Sequence, residues 1–358
     1  MTVGNDPGQL RSLRRGGRPS TRLLRRLSED VRHSADLAEL ADFSRHRWSD
    51  LLLAETRFHL AGMMNAIELA IGLHILDPRV EAMIGALGPG YCRQAVEHEL
   101  GLLSPDFLGH LRRRAAVAML LRQDDAIGGN ASFAAQPDVT MNELYLNALT
   151  ALGIAERRWT APMLLDSPMR PDLPAEHYHD LAWTVAALLI QACERQLSAT
   201  DPAVVKAIAQ ATEKLIARHD EGQGGVALAQ RCARSLSREA RLSLAQAALV
   251  DARLLLFAAL AECETGLPLE YVIDSLIDDS DEGRHAVLRL MRIDDAVAFR
   301  TADVLAPLTG MAAGGDAALA TFLEDYRLFD AAHAETWLAR MASPRPLADK
   351  LALMGRRR

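Results

Sequence analysis

The chain of 358 residues is 49% hydrophobic but only 5% aromatic, and its 40 basic and 47 acidic residues leave a net charge of −7. That apolar content excludes wholesale disorder, and the abundance of Ala and Leu over aromatic and β-branched residues favours helix over strand. The first 34 residues carry eight Arg against Asp6, Glu29 and Asp30, a net +5, so the rest carries −12 and suits a nucleic-acid groove poorly.

Residues 1–34 read as a basic, partly disordered tail without the apolar core of a secretory signal. Leu24, Leu27 and Val31 share one helical face among Arg22, Arg25, Arg26 and Arg32. Contact with nucleic acid or an anionic membrane is expected only through this tail, and a frayed leader is the preferred reading.

Residues 35–122 form an expected N-terminal helical region. Ser49 and Asp50 cap a helix running to about Leu76, where Asp77-Pro78 ends it. It is apolar almost all round, as a helix inside a bundle is, except for one seam of Glu55, His59, Gly62, Asn65, Glu68 and Gly72. Shorter helices are predicted over 78–87, 91–102 and 104–122. A connecting region, 123–174, is rich in Gly and Pro and holds one helix over 141–157. The C-terminal helical region, 175–310, shows helices at 175–197, 202–218, 225–234, 237–264, 268–277, 283–291 and 294–305. An extension, 311–358, adds helices over 317–326, 333–341 and 347–354. No stretch alternates long enough for a strand, so the fold class is all-α: an irregular helical array or multi-helix bundle with no sheet.

No apolar run reaches the roughly 20 residues of a membrane span. Cys92, Cys193, Cys232 and Cys263 form no CxxC pair, which suggests reduced, buried structural thiols and a cytoplasmic location.

The stretch 265–308, TGLPLEYVIDSLIDDSDEGRHAVLRLMRIDDAVAFRTADVLAPL, has a G-L-P, then V-x-x-x-L-x-D-x-S, then a short L-x-R-L helix. With Leu267, Pro268, Val272, Leu276, Asp278, Ser280, Leu288 and Met291 in place, it resembles a bacterial helical family catalogued as domain of unknown function 2336. The resemblance is best over about 235–308. It implies a HEAT-like pack of helices in the bacterial cytoplasm, and it implies no activity.

Several patterns are candidates for chemistry. Asp278, Asp279 and Glu282 fit the D-D-x-x-E that clamps Mg²⁺-diphosphate in all-α isoprenoid synthases. A second metal motif is missing, and few aromatics are present to stabilise a carbocation. As a calcium loop the segment fails, because Arg289 stands at the twelfth position, where Glu is required. Acids placed before a helix near Gly283 are the preferred reading.

Glu176-x-x-His179 and Glu282-x-x-His285 repeat the E-x-x-H of di-iron bundles, with Glu143 and Glu262 as conceivable further ligands. With eleven His in the chain, chance also makes such pairs. His59, early in a long bundle helix, is a candidate phosphotransfer histidine, but Leu60, Gly62 and Met63 break the usual patterns. An i,i+4 pair of His59 with Glu55 on a solvated edge is preferred.

The most distinctive surface expectation is an acidic ridge: Glu262, Glu264, Glu270, Asp274, Asp278, Asp279, Asp281 and Glu282, with no base between Arg253 and Arg284. The reading is a non-catalytic, protein-binding helical module without a cofactor, whose ridge takes a basic partner or the Arg-rich tail. An all-α metal enzyme or a phosphotransfer module is the alternative.

Overall fold

The computed structural model describes residues 49–127, 143–160, 169–199, 201–278, 281–309 and 315–341. The Arg-rich tail, Asp279 and the expected helix over 347–354 lie outside the described residues. Within them are fifteen α-helices and no strand, and no helix is long and apolar enough to cross a membrane.

The N-terminal part comprises α1 (Asp50–His74), α2 (Pro78–Gly85), α3 (Tyr91–His98), α4 (Pro105–Ile127) and α5 (Glu143–Thr160). Then come α6 (Ala175–Leu197), α7 (Pro202–Ala217), α8 (Gly225–Arg234), α9 (Arg238–Val250), α10 (Leu254–Thr265) and α11 (Leu269–Ile277). The chain closes with α12 (Asp281–Leu290), α13 (Asp295–Leu305), α14 (Gly315–Leu328) and α15 (Ala331–Met341).

Several helix starts follow from capping chemistry. The Ser49 side chain accepts from the Leu52 amide at 3.2 Å, and Asp77 and Asp201 accept from backbone amides just beyond Pro78 and Pro202. Each supplies an acceptor to donors that a helix cannot satisfy internally, while Pro occupies a position that needs no donor.

Two buried helices organise the packing. α1 contacts α3, α4, α6 and α7; α10 contacts α8, α9 and α11. α4 lies between these groups, packing on α1 and α5 and also on α10 and α11. The hub α10 buries all eight residues from Leu254 to Ala261. Each fully buried Leu or Phe there contributes about 1.5–3 kcal/mol.

One sequence expectation is corrected here. The predicted single helix over 237–264 is two, α9 and α10, broken at Asp251-Ala252-Arg253. Ala252 turns left-handed with φ 50°, and the Arg253 amide donates back to the Ala248 carbonyl at 2.7 Å. No Gly or Pro announces the turn. The tertiary contact it serves is the Arg253 guanidinium reaching the buried Glu156 of α5.

Candidate functional site

The polar seam predicted on α1 exists, but it faces inward and is used along nearly its whole length. At its far end, the Glu68 carboxylate accepts from the Tyr91 amide at 3.3 Å and the Cys92 amide at 2.8 Å. It thereby caps α3, whose own N-cap, Gly90, has φ 75° and no side chain to offer. A Cβ on Gly90 would stand 3.2 Å from Asn65 Oδ1, so Gly also permits the close approach. At mid-seam, Met169 lies over Gly62, where a Cβ would come within 3.0 Å of it. That contact carries the chain on to Asp172, which is buried beside α4.

The centre of the seam is a buried relay of charges. Arg114 of α4 donates from Nε to His59 Nδ1 at 3.2 Å and pairs through Nη1 with Asp172. The other Asp172 oxygen accepts from Trp159 Nε1 at 2.9 Å, and the guanidinium lies 4.5 Å from that ring's centroid. Because His59 Nδ1 accepts, the neutral ring carries its proton on Nε2, which lies 3.0 Å from Glu55 Oε1. Arg122 closes the row on Glu55.

Burial works against the Glu55 charge, but His59 and Arg122 outweigh it and hold its carboxyl below the usual range. Burial lowers the His59 pKa and leaves the ring neutral. The expected His59–Glu55 pair is therefore present, but on a buried seam rather than a solvated edge, with the imidazole wholly enclosed.

One turn before Arg114, His110 packs against His177, their ring centroids 5.0 Å apart, and burial pushes the His110 pKa far down. His110 Nε2 and Arg114 Nη2 are both buried without a hydrogen-bond partner. Both residues line a cavity of about 20 Å³ walled by Trp159, Leu255 and Ile273, which is room for a single water with two polar neighbours.

The acidic ridge is engaged by the chain's own arginines. Asp274 accepts from Arg112 Nη2 at 2.8 Å and from Arg113 Nε and Nη2 at 2.9 and 3.0 Å. Burial would raise its pKa, yet these two guanidiniums hold the carboxyl below its ordinary value. Asp278 pairs with Arg112 at 2.8 Å, Glu264 with Arg241 and Arg238, and Glu282 with Arg340. Glu262 accepts from Gln230, while Glu270 lines the small cavity beside Arg113.

Asp281 pairs with the buried Arg284, whose Nε and Nη2 also donate to the Leu276 and Asp278 carbonyls. Arg284 thus caps the C-terminus of α11 from below, the favoured place for a cation. Asp281 and Glu282 fall within the first turn of α12, which begins two residues before the Gly283 start expected from sequence.

The candidate metal ligands lie in separate settings. Glu176 and Glu143 stand in the first turns of α6 and α5, and His179 accepts from Trp183 Nε1 at 3.1 Å. His285 sits among the rings of Phe322, Tyr326 and Phe329. Among the described residues no group of three or more His, Cys, Asp or Glu stands close enough to hold a metal ion. Cys92, Cys193 and Cys232 are buried free thiols and Cys263 is half-buried.

Sequence reasoning missed Arg112-Arg113-Arg114. Its signal was legible: three consecutive Arg between Leu111 and Ala115-Ala116-Val117 cannot all point to solvent from a helix buried on both sides. The outer surface was missed too. Leu69 and Leu73 on α1 and Leu76 just past its end are 51%, 76% and 82% exposed. Leu76 lines a groove of about 250 Å³ between the end of α1 and α7, with His74, Asp77, Lys206, Gln210 and Lys214 among others. A second groove, of about 280 Å³, runs between α3 and α6 past Tyr91, His98 and Arg195.

No protein-family model, no curated protein and no solved structure matches this chain.

Proposed function

We propose that this chain is a non-catalytic, HEAT-like helical module of the bacterial cytoplasm, akin to the family it resembles, and that it works by binding another protein. The observation that carries the reading is the row of exposed leucines at the C-terminal end of α1. Leu69 and Leu73, one turn apart on α1, and Leu76, which lines a concave groove just past the helix end, all stand in solvent. A contiguous exposed apolar row rimmed by polar residues is a mark of an interaction site, and broad helical surfaces supply such sites without special catalytic groups.

The buried charges support the same reading from the other side. Glu55, His59, Arg114, Asp172 and Asp274 each hold a neighbouring helix in place, which is a structural use of polar groups. The docking surface therefore moves from the acidic ridge to the leucine row, because the ridge's described acids are largely committed to Arg112, Arg113, Arg238, Arg241, Arg284 and Arg340.

A photo-crosslinking amino acid in place of Leu73 tests this in living cells. A discrete protein adduct is expected there and not from the same probe at Glu335 on exposed α15. Adduct formation should be lost when Leu69→Asp and Leu76→Asp are added. Equal labelling from both positions, or no adduct from Leu73, would contradict the reading.

A further inference from the structure

The groove beside the leucine row has a charge of its own, and it is opposite to that of the protein. The chain contains three lysines, Lys206, Lys214 and Lys350, and two of them line this groove. Among the described residues neither Lys206 nor Lys214 has an ion-pair partner.

Asp77 and Asp201 both have partners. Asp77, which also lines the groove, accepts from the Arg79 and Val80 amides at 2.9 and 3.4 Å. Asp201 is held by Arg79 and the Ala203 amide. Arg218 extends the cationic edge: it donates to His74 Nε2 at 2.8 Å, while His74 Nδ1 donates to the Ala70 carbonyl at 2.8 Å.

Resting on the protein-binding reading above, we infer that the groove between α1 and α7 takes an acidic amphipathic helix of a partner protein. Lys206 and Lys214 are eight residues apart on one helix, roughly 12 Å along its axis. Carboxylates two turns apart on a helix lying along α7 meet that spacing. The same helix would set its own i, i+3/i+4, i+7 apolar positions against Leu76, Ala207 and Ala211 in the groove and against Leu73, exposed next to His74 in the chain.

Charge complementarity decides the class of occupant. The Arg-rich N-terminal tail has the wrong sign. A second copy docking this face on itself would oppose lysine to lysine. An anionic membrane offers the right sign but no convex ridge to fill a concave groove.

The test uses the full chain and a fluorescent 18-residue helical peptide with Leu at i, i+4, i+7 and i+11 and Glu on the flanks, against a twin with Lys for each Glu. Anisotropy should show the Glu peptide binding roughly tenfold more tightly than its twin, with the gap shrinking as salt rises. Lys206→Glu with Lys214→Glu should reverse that preference, and Leu73→Asp with Leu76→Asp should abolish binding of both peptides. All four positions are solvent-facing, so each variant is expected to melt as the parent does.

Equal binding of the two peptides, or a Glu preference untouched by the lysine reversals, overturns the inference. So does lysine-dependent binding to phosphatidylglycerol vesicles in place of the Glu peptide. If the Leu73 adduct forms in cells and maps to a neutral or basic segment, the protein-binding reading stands and this inference fails. Absence of any adduct removes both.

Discussion

The hubs α1 and α10 look alike as sequence, since both are apolar nearly all round, yet they are held in opposite ways. From Leu254 to Ala261, α10 buries only apolar side chains, so packing shape does most to locate it, and its ion pairs lie at its two ends, through Arg253 and Glu264. α1 buries Thr56, His59 and Glu68 in addition to its apolar residues, and each of the charged or titratable ones has a partner brought from a distant segment. A hydrophobic face tolerates sliding and rotation. A buried His or Glu that must meet one guanidinium or two amides does not. The polar seam therefore sets the orientation of α3, α4 and the 169–173 segment around α1, while the apolar hub supplies bulk stability.

Mutations should separate these two modes. The largest effect is expected from Arg114→Met, which leaves Asp172 charged, buried and without its cation, at a cost of about 3–5 kcal/mol. Leu260→Ala in α10 should cost about 2–5 kcal/mol through lost contacts and a residual cavity. The modes differ in rescue: a second substitution at Asp172 should restore much of the first loss, whereas Leu260→Ala should recover only when a neighbour refills the space. Urea titration of each variant measures both.

Acid should also distinguish the hubs. Burial depresses the pKa of His59, His110, His177 and His285 in the native state. The unfolded chain thus binds more protons at these positions, and stability falls as pH drops below about 6.5. Asp274 is held ionised by Arg113 and Arg112 against its burial, so its contribution, present above about pH 4, is lost on further acidification. Hydrogen exchange at pH 5.5 should therefore show protection falling in α1 and α4 before α10. Simultaneous loss in all three would erase the distinction.

Smaller effects complete the series. Asp274→Asn weakens the tie between α4 and α11 and should cost about 1–3 kcal/mol. Glu282→Gln, which breaks only an exposed pair with Arg340, should change stability by no more than about 0.5 kcal/mol. Thermal melts rank the two.

The helical architecture was legible because its punctuation is local: Ser49, Asp77-Pro78, Asp201-Pro202 and Gly266 act on their own helix ends. The seam's spacing was legible for the same reason, since i,i+3 and i,i+4 positions share a face whatever surrounds them. Its burial was not, because Arg114 and Asp172 are far from His59 along the chain. The acidic ridge shows this most clearly. Asp274 has no base near it in sequence, and its partner Arg112 lies 162 residues away. The break at Ala252 was hidden because its cause, the Arg253–Glu156 pair, is tertiary.

The most direct test of this account is a thermodynamic cycle at the buried centre: the parent chain, Arg114→Met, Asp172→Leu and the double variant, each unfolded in urea at pH 7.5. The account predicts single losses of about 3–5 kcal/mol and a double variant far more stable than their sum, because removing both charges removes the uncompensated one. Near-neutral single variants would contradict it, showing that these buried groups do not hold the helices together and leaving His59 and its neighbours open to a chemical role.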